Sequence, residues 1–584
     1  MNSYRQLSSL APYFRKHRKQ FILGIAFILL STIFEVFVPQ FIRQAIDGIE
    51  KGISSSGLAS LALLIVGTAA ISGFFLFLTR QTIIVASREV EYDLRNDFYN
   101  HIQGLSIRFF HNRSTGEIMA YASNDINAVR MFVGPAVMYS ANTIFTFVIT
   151  LGIMLIINPA LTLLALAPMP AVSFIVYRLG KIIHDRFEDI QSHYGLLTSR
   201  AQENLSGIRV VKAYVREVYE IGRFRDLSWS YLKKNLRLAR VQVFMMPALS
   251  FLVGLSIVIV LWYGGTLVID GALTLGALTQ IIIYVGMLIW PMIAVGWVIN
   301  LVQRAAASMG RIQSIFKERP EISDNEHTDH SITKLDGRIE FDDVSFRYTE
   351  SSPWILRHVC LDIPPSASLA IVGQTGVGKT TLVNLIPRLY DVTEGVLRVG
   401  GYDVRKVPVR TLRDHIGYVT QETFLFSDTI FRNIAFGVDN PTREEVEYAA
   451  RVAAIHDSIM EFPKGYETYV GERGITLSGG QKQRISIARA VLRKPPILIL
   501  DDALSAVDTH TEEKILKNLQ EIMRDRTSII ISHRVSTVKH ADHIIVLSEG
   551  KIAEQGTHDE LLELGGMYAE LHYKQLLADE LESM

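Results

Sequence analysis

One cysteine, Cys360, stands in 584 residues. A chain so poor in thiols can build neither an intramolecular disulfide framework nor a cysteine-based zinc site. Excess charge of either sign is missing as well, since Lys+Arg and Asp+Glu both number 59. That excludes a nucleic-acid binder resting on an overall basic surface. With only 18 prolines and 40 glycines against 49% hydrophobic residues, collagen-like repeats and disorder are excluded together. Charged residues amount to 20% and the mean hydropathy is +0.22. At this length two or three domains are expected, and so positive a hydropathy calls for one of them to lie in a membrane.

The apolar residues concentrate before about residue 310. Six long runs stand out, at 21–42, 58–78, 135–157, 160–177, 245–268 and 278–302. Each is near the ~20 residues a helix needs to cross ~30 Å of hydrocarbon. The first is too long for a cleavable signal peptide and lacks a small-residue cleavage site. Arg15, Lys16, Arg18 and Lys19 precede it. The long segments after the second and fourth runs are rich in Arg and Lys, whereas the three short loops hold only Arg43 and Lys51. The positive-inside rule then puts the amino terminus, both long loops and everything after residue 302 in the cytoplasm. Segments 80–132 and 178–240 contain few Gly or Pro and many helix formers, so the membrane helices should continue into the cytoplasm. Breaks at FFHNRSTGEIM and QENLSGIRVVKAY mark the tips of two helical hairpins. Each tip is either a surface loop or a contact for another domain. Glu35 lies in the first run beside Phe34, Phe37 and Pro39. A charge at that depth is costly, which makes Glu35 a candidate for substrate binding or gating unless it sits at the outer interface.

After residue 311 the character changes. The reading is a membrane domain at 1–317, a polar, acidic linker at 318–337 and a second domain at 338–584. Short β-rich runs alternating with helical patterns identify the last as α/β with a mainly parallel sheet. Gly373-Gln374-Thr375-Gly376-Val377-Gly378-Lys379-Thr380 fits the phosphate-loop pattern between a strand and a helical run that starts at Thr381. Its backbone amides wrap phosphates at a helix amino terminus, Lys379 supplies positive charge and Thr380 a hydroxyl for Mg²⁺. Ile497–Leu500 is an apolar strand ending in Asp501 and Asp502. Asp501 fits a Mg²⁺ ligand, direct or through water, and Asp502 a group that polarises the attacking water. His533 ends another β run, within reach of a γ-phosphate. Ser478-Gly479-Gly480-Gln481 opens a helix, either as a second phosphate grip or simply as a cap.

GQTGVGKT, LSGGQ, LILDD and a strand-end histidine together resemble the ATP-binding-cassette (ABC) domain. Six membrane helices with two long hairpins ahead of one cassette resemble an ABC exporter half-transporter over nearly the whole chain. The fold implied is an all-α polytopic membrane domain of six long transmembrane helices followed by an α/β P-loop NTPase domain of ABC type. The resemblance further implies that Tyr348 stacks on adenine, that Gln421 approaches Mg²⁺ as the Q-loop, that Ser505–Asp508 form the D-loop and that VGERG at 470–474 is the exporter X-loop. The two hairpin tips look like coupling helices. In this family two cassettes meet head to tail, each ATP held between one chain's phosphate loop and the other's LSGGQ, so a second chain is required. The expected product is an ATP-driven, multi-pass exporter of the bacterial plasma membrane for hydrophobic or amphipathic compounds, with ATP and Mg²⁺ and without nucleic acid.

One residue departs from the family pattern. Active cassettes usually place Glu after the metal-binding Asp, and here Asp502 stands there. Its carboxylate ends one methylene, ~1.5 Å, short, and a misplacement of about 1 Å can cost ~100-fold in rate. Three readings follow: the weak-site half of a heterodimer, a homodimer with two slow sites, or an ATP-gated regulator.

Overall fold

A computed structural model describes residues 6–471 and 477–583. It divides into two compact units, Met1–Gln103 with Arg113–Glu318, and Gly104–Asn112 with Arg319–Met584.

In the first unit the six apolar runs lie in six helical spans: Arg18–Glu50, Ser55–Gln103, Thr115–Ile157, Pro159–Ser206, Glu217–Ile269 and Leu275–Phe316. At 1.5 Å per residue the 53-residue fifth span is ~80 Å long, more than twice the hydrocarbon core. These helices therefore run well beyond the membrane, as their polar ends require. They are not uniform. Wide turns interrupt the second and third spans at Arg80–Ile84, Tyr121–Asp125 and Phe132–Ala136, the last around Pro135. The fourth span breaks between Leu166 and Met169, at Pro168, and the sixth at Leu288, ahead of Pro291. Proline has no N–H for the carbonyl one turn earlier, so a break there is expected.

Among the described residues the second unit holds ten strands: β1 Ile339–Phe346, β2 Leu356–Ile363, β3 Ser368–Val372, β4 Glu394–Val399, β5 Tyr402–Asp403, β6 Ile416–Val419, β7 Ile497–Asp501, β8 Thr527–Ile531, β9 His543–Ser548 and β10 Lys551–Gly556. An antiparallel sheet runs β2-β1-β4-β5, and a larger one runs β10-β9-β3-β8-β7-β6. In the larger sheet every pairing is parallel except that of β10 with β9. Apart from β10 its strands are largely buried on both faces, the pattern of a parallel sheet covered on each side. Ile497 and Ile499 of β7 and Ile529 and Ile531 of β8 pack with the helix Lys379–Leu385 and the antiparallel sheet. Leu498, Leu500 and Ile530, the alternate residues, pack with the helix Gly479–Leu492. The polar stretch before β1 has no strand or helix in 319–338, yet Ile332 and Leu335 are buried in the first of these cores.

Candidate functional site

The parallel strands β3, β8, β7 and β6 lie side by side, and each delivers a sequence-identified residue at its carboxyl end. The phosphate loop follows β3, His533 follows β8, Asp501 ends β7 with Asp502 next, and Gln421 follows β6. At ~4.8 Å per strand these four positions span about 14 Å, the scale of a nucleoside triphosphate with its metal. Ligands of open parallel sheets bind at this edge.

The phosphate loop needs its glycines for conformation and close approach. Gly373 has φ +147° and Gly378 has φ +105°, values that side chains resist. A Cβ on Gly373 would stand 2.4 Å from the Leu547 carbonyl oxygen. Gln374, Thr375 and Gly376 are exposed, with Val377 half-buried behind them. Lys379 is buried, and its Nζ donates to the carbonyls of Gly373 and Gln374 at 2.7 and 2.8 Å. Burial pushes its pKa down, opposed by the charges of Asp502 and Asp501. Thr380 Oγ1 donates to Asp501 Oδ1 at 3.2 Å. The other carboxylate oxygen, Asp501 Oδ2, is buried and, among the described residues, makes no hydrogen bond of good geometry. An orphaned buried carboxylate oxygen beside a threonine hydroxyl suits a hard cation such as Mg²⁺. Burial pushes the Asp501 carboxyl up, against the Thr380 hydrogen bond.

Asp502 adopts φ +48°. Its amide donates to Ile531 at 3.0 Å and its carbonyl accepts from Ser505 Oγ at 3.0 Å, so the turn that aims its half-exposed side chain is tied from both sides. His533 is exposed, and its carbonyl accepts from Gln575 in the carboxyl-terminal helix. Gln421 is exposed too. Tyr348 is half-buried. Its hydroxyl lies 2.9 Å from Thr381 Oγ1 and its ring stands edge-on to Phe346 and Tyr390, with centroids 5.0 and 5.2 Å away.

LSGGQ forms a true capping box. The Ser478 hydroxyl accepts from the Gln481 amide, and Gln481 Oε1 accepts from the Ser478 amide at 2.9 Å. The cap does not exhaust the site: Ser478 and Gly479 are exposed, leaving a hydroxyl proton and first-turn amides for an anion. The D-loop is bound to this helix, with the Ala506 amide donating to Gln483 Oε1 at 2.9 Å. Of the X-loop, 472–474 lie outside the described residues.

The phosphate-loop helix and the LSGGQ helix pack on opposite faces of the large sheet.

Sequence reading missed several contributors. Tyr418 on β6 donates to Asn384 Oδ1 at 2.8 Å, beside the phosphate-loop helix. Burial, aided by the Asp501 charge, pushes the Tyr418 hydroxyl pKa up. The tyrosine in IGYVTQ, next to the Q-loop, was the available signal. The start of the first hairpin tip, within Gly104–Asn112, belongs to the second unit: Ile107 packs on the cassette core, and Tyr390 Oη lies 3.0 Å from His111 Nδ1. Ser106 Oγ accepts from the amides of Glu321 and Ile322. The second tip, Ile208–Ala213, has no buried residue, and Leu205, Val210 and Tyr214 around it are exposed. Glu35 lines a cleft of ≈ 440 Å³ within the first unit.

Comparison with known proteins agrees with this architecture. The ABC transporter transmembrane region family matches residues 21–292, and the ABC transporter family matches 356–505. The probable multidrug resistance ABC transporter ATP-binding/permease protein YheI of Bacillus subtilis is 37% identical, covering 98% of each chain. The ATP-dependent lipid A-core flippase of Syntrophus aciditrophicus is 34% identical over 99% of this chain and 96% of its own. A bacterial Atm1-family ABC exporter with ATP bound superposes with a TM-score of 0.80 at 29% identity, covering 96% of this chain and 98% of that one. The chain thus belongs to the ABC exporters of half-transporter build, six membrane helices fused to one ABC ATPase domain that couples ATP hydrolysis to transport.

Proposed function

We propose that this chain is one half of a heterodimeric exporter that moves hydrophobic or amphipathic compounds across a bacterial plasma membrane, and that the ATP on its own phosphate loop is turned over slowly. The observation that carries the asymmetry is Asp502 in the position after Asp501, and the need for a second chain rests on the phosphate-loop and LSGGQ helices packing on opposite faces of one sheet. No single chain of this build can close both on one γ-phosphate. The exposed apolar second tip supports the same conclusion, because it offers a surface for another cassette. Residues 1–317 form the membrane domain, 318–337 the connection and 338–584 the cytoplasmic cassette.

At its own site Lys379 exchanges two backbone carbonyls for the β- and γ-phosphates of ATP. Thr380 and Asp501, with Gln421, would hold Mg²⁺. Bound there, Mg²⁺ neutralises charge on the phosphates. Tyr348 takes the base, with its hydroxyl anchored on Thr381. Asp502 faces the attacking water from one methylene too far back, while His533 reaches the γ-phosphate. The partner's signature completes this site. In return Ser478, Gly479, Gly480 and Gln481 close on the partner's ATP, where a full-length Glu stands in the Asp502 position. The His111–Tyr390 contact carries cassette motion to the helices that flank Gly104–Asn112.

Purification from native membranes tests this: a stoichiometric second chain of similar size is expected. A homodimer hydrolysing ATP equally at both sites would overturn the asymmetric assignment. A purified complex with ATPase activity and no transport in vesicles would overturn export.

A further inference from the structure

We propose that the cleft between the first three membrane helices recognises amphipathic organic cations, with Glu35 as their counter-charge. The proposal rests on the export reading above and names its substrate class. Ser31 and Glu35 of the first span fall on one helical face, opposite Ser72 and Gly73 of the second and Tyr139 and Asn142 of the third. The open cleft they line, ≈ 440 Å³ with Glu35 exposed in it, is the size of a small-molecule site.

Among the described residues Glu35 has neither an ion-pair nor a hydrogen-bond partner. A lone carboxylate in a membrane helix is expensive, and such groups mark ligand pathways. The cleft's one cation, Arg80, cannot neutralise it. Ser31 Oγ donates to the Ser72 carbonyl at 3.0 Å, which sets the antiparallel register of the two helices. Glu35 then lies level with residue 68, and Arg80, more than three helical turns further toward the other end, is about 18 Å away along the axis.

The remaining chemistry also selects a cation. Ser31 and Ser72 spend their hydroxyls on each other's carbonyls, at 3.0 Å each. Thr32 donates to Asn142 Oδ1 at 3.4 Å. Pro39 has no N–H to give the Glu35 carbonyl, its partner one turn back. Position 35 thus offers carboxylate and carbonyl oxygens together, both acceptors. Tyr139, held edge-on by Trp297 at 5.1 Å, adds an aromatic ring of the kind that attracts cations. A bare metal ion would demand six or more close oxygens. This wide, partly apolar cleft with one carboxylate fits an organic cation instead.

The test uses the purified two-chain complex and three probes of matched shape: tetraphenylphosphonium, neutral triphenylphosphine oxide and tetraphenylborate. Equilibrium dialysis without nucleotide measures binding, and proteoliposomes measure ATP-driven transport. The wild type should bind the cation at least tenfold more tightly than the other two. Glu35→Gln should remove that preference and Glu35→Asp should restore part of it, with thermal melting curves confirming that both variants fold. Equal binding of all three probes by the wild type, or a preference that survives Glu35→Gln, overturns the site. Glu35-dependent binding with no ATP-driven transport leaves the site standing and overturns the export reading. Transport with the same cation preference in both the wild type and Glu35→Gln does the reverse.

Discussion

The phosphate-loop end and the LSGGQ end of this cassette differ, on the proposed reading, in how complete each is for catalysis. At the LSGGQ end every part is in place: a capped helix amino terminus, exposed first-turn amides and a D-loop fixed by Gln483. At the phosphate-loop end the binding parts are equally complete, with Lys379 poised on two carbonyls and Thr380 bonded to Asp501. On the proposed reading only Asp502, the residue that would reach the water, is short. The contrast separates gripping a nucleotide from cleaving it. A chain can retain all of the first at its own site, lose much of the second, and still lend a sound half-site to its neighbour.

The largest effects should come from removing the grip at either end. Lys379→Ala deletes the charge that faces the β- and γ-phosphates and should weaken ATP binding at this site by on the order of 100-fold, read by photocrosslinking of labelled ATP. Unaltered labelling would refute the site. Gly480→Asp places a Cβ 2.8 Å from the Ala506 carbonyl and an anion where the partner's γ-phosphate belongs. It should cut total turnover roughly 100-fold, with labelling at Lys379 preserved. Ser478→Ala removes only the hydroxyl and its cap, a loss of ~1 kcal/mol in the helix, and should lower turnover about tenfold. If either signature change instead slowed hydrolysis only at the Lys379 site, the pairing would be within one chain. Tyr390→Phe deletes one hydrogen bond to His111, worth ~1 kcal/mol. Substrate moved per ATP hydrolysed should fall about fivefold while ATP still binds, and an unchanged ratio would detach this contact from coupling.

The sequence carried some of this plainly and some not at all. Six apolar runs and a phosphate loop are local signals, and local physics reads them: hydrocarbon thickness sets a helix length, and glycine spacing sets an anion cradle. Which face of a sheet a helix covers is not local. That Gly479–Leu492 packs against Leu498 and Leu500, while Lys379–Leu385 packs against Ile497 and Ile499, follows from tertiary packing of a strand apolar on both sides. The Asn384–Tyr418 and His111–Tyr390 pairs escaped for the same reason, their members lying 34 and 279 residues apart. LSGGQ was ambiguous between cap and phosphate grip, and its geometry serves as a cap with capacity to spare. The polar stretch ahead of β1 read as a plain connection, though Ile332 and Leu335 are buried in the cassette core.

The smallest expected effect is the most telling. Asp502→Asn should lower total ATPase less than about twofold, because little flux passes through a site whose carboxylate stands ~1.5 Å short. Asp502→Glu should raise hydrolysis there. The direct measurement is the nucleotide held at each site of the wild-type complex after brief incubation with ATP. Intact ATP should persist at the Lys379 site while ADP collects at the partner's. Equal ADP at both sites, with turnover abolished in Asp502→Asn, would show Asp502 to be a competent base and contradict the asymmetry.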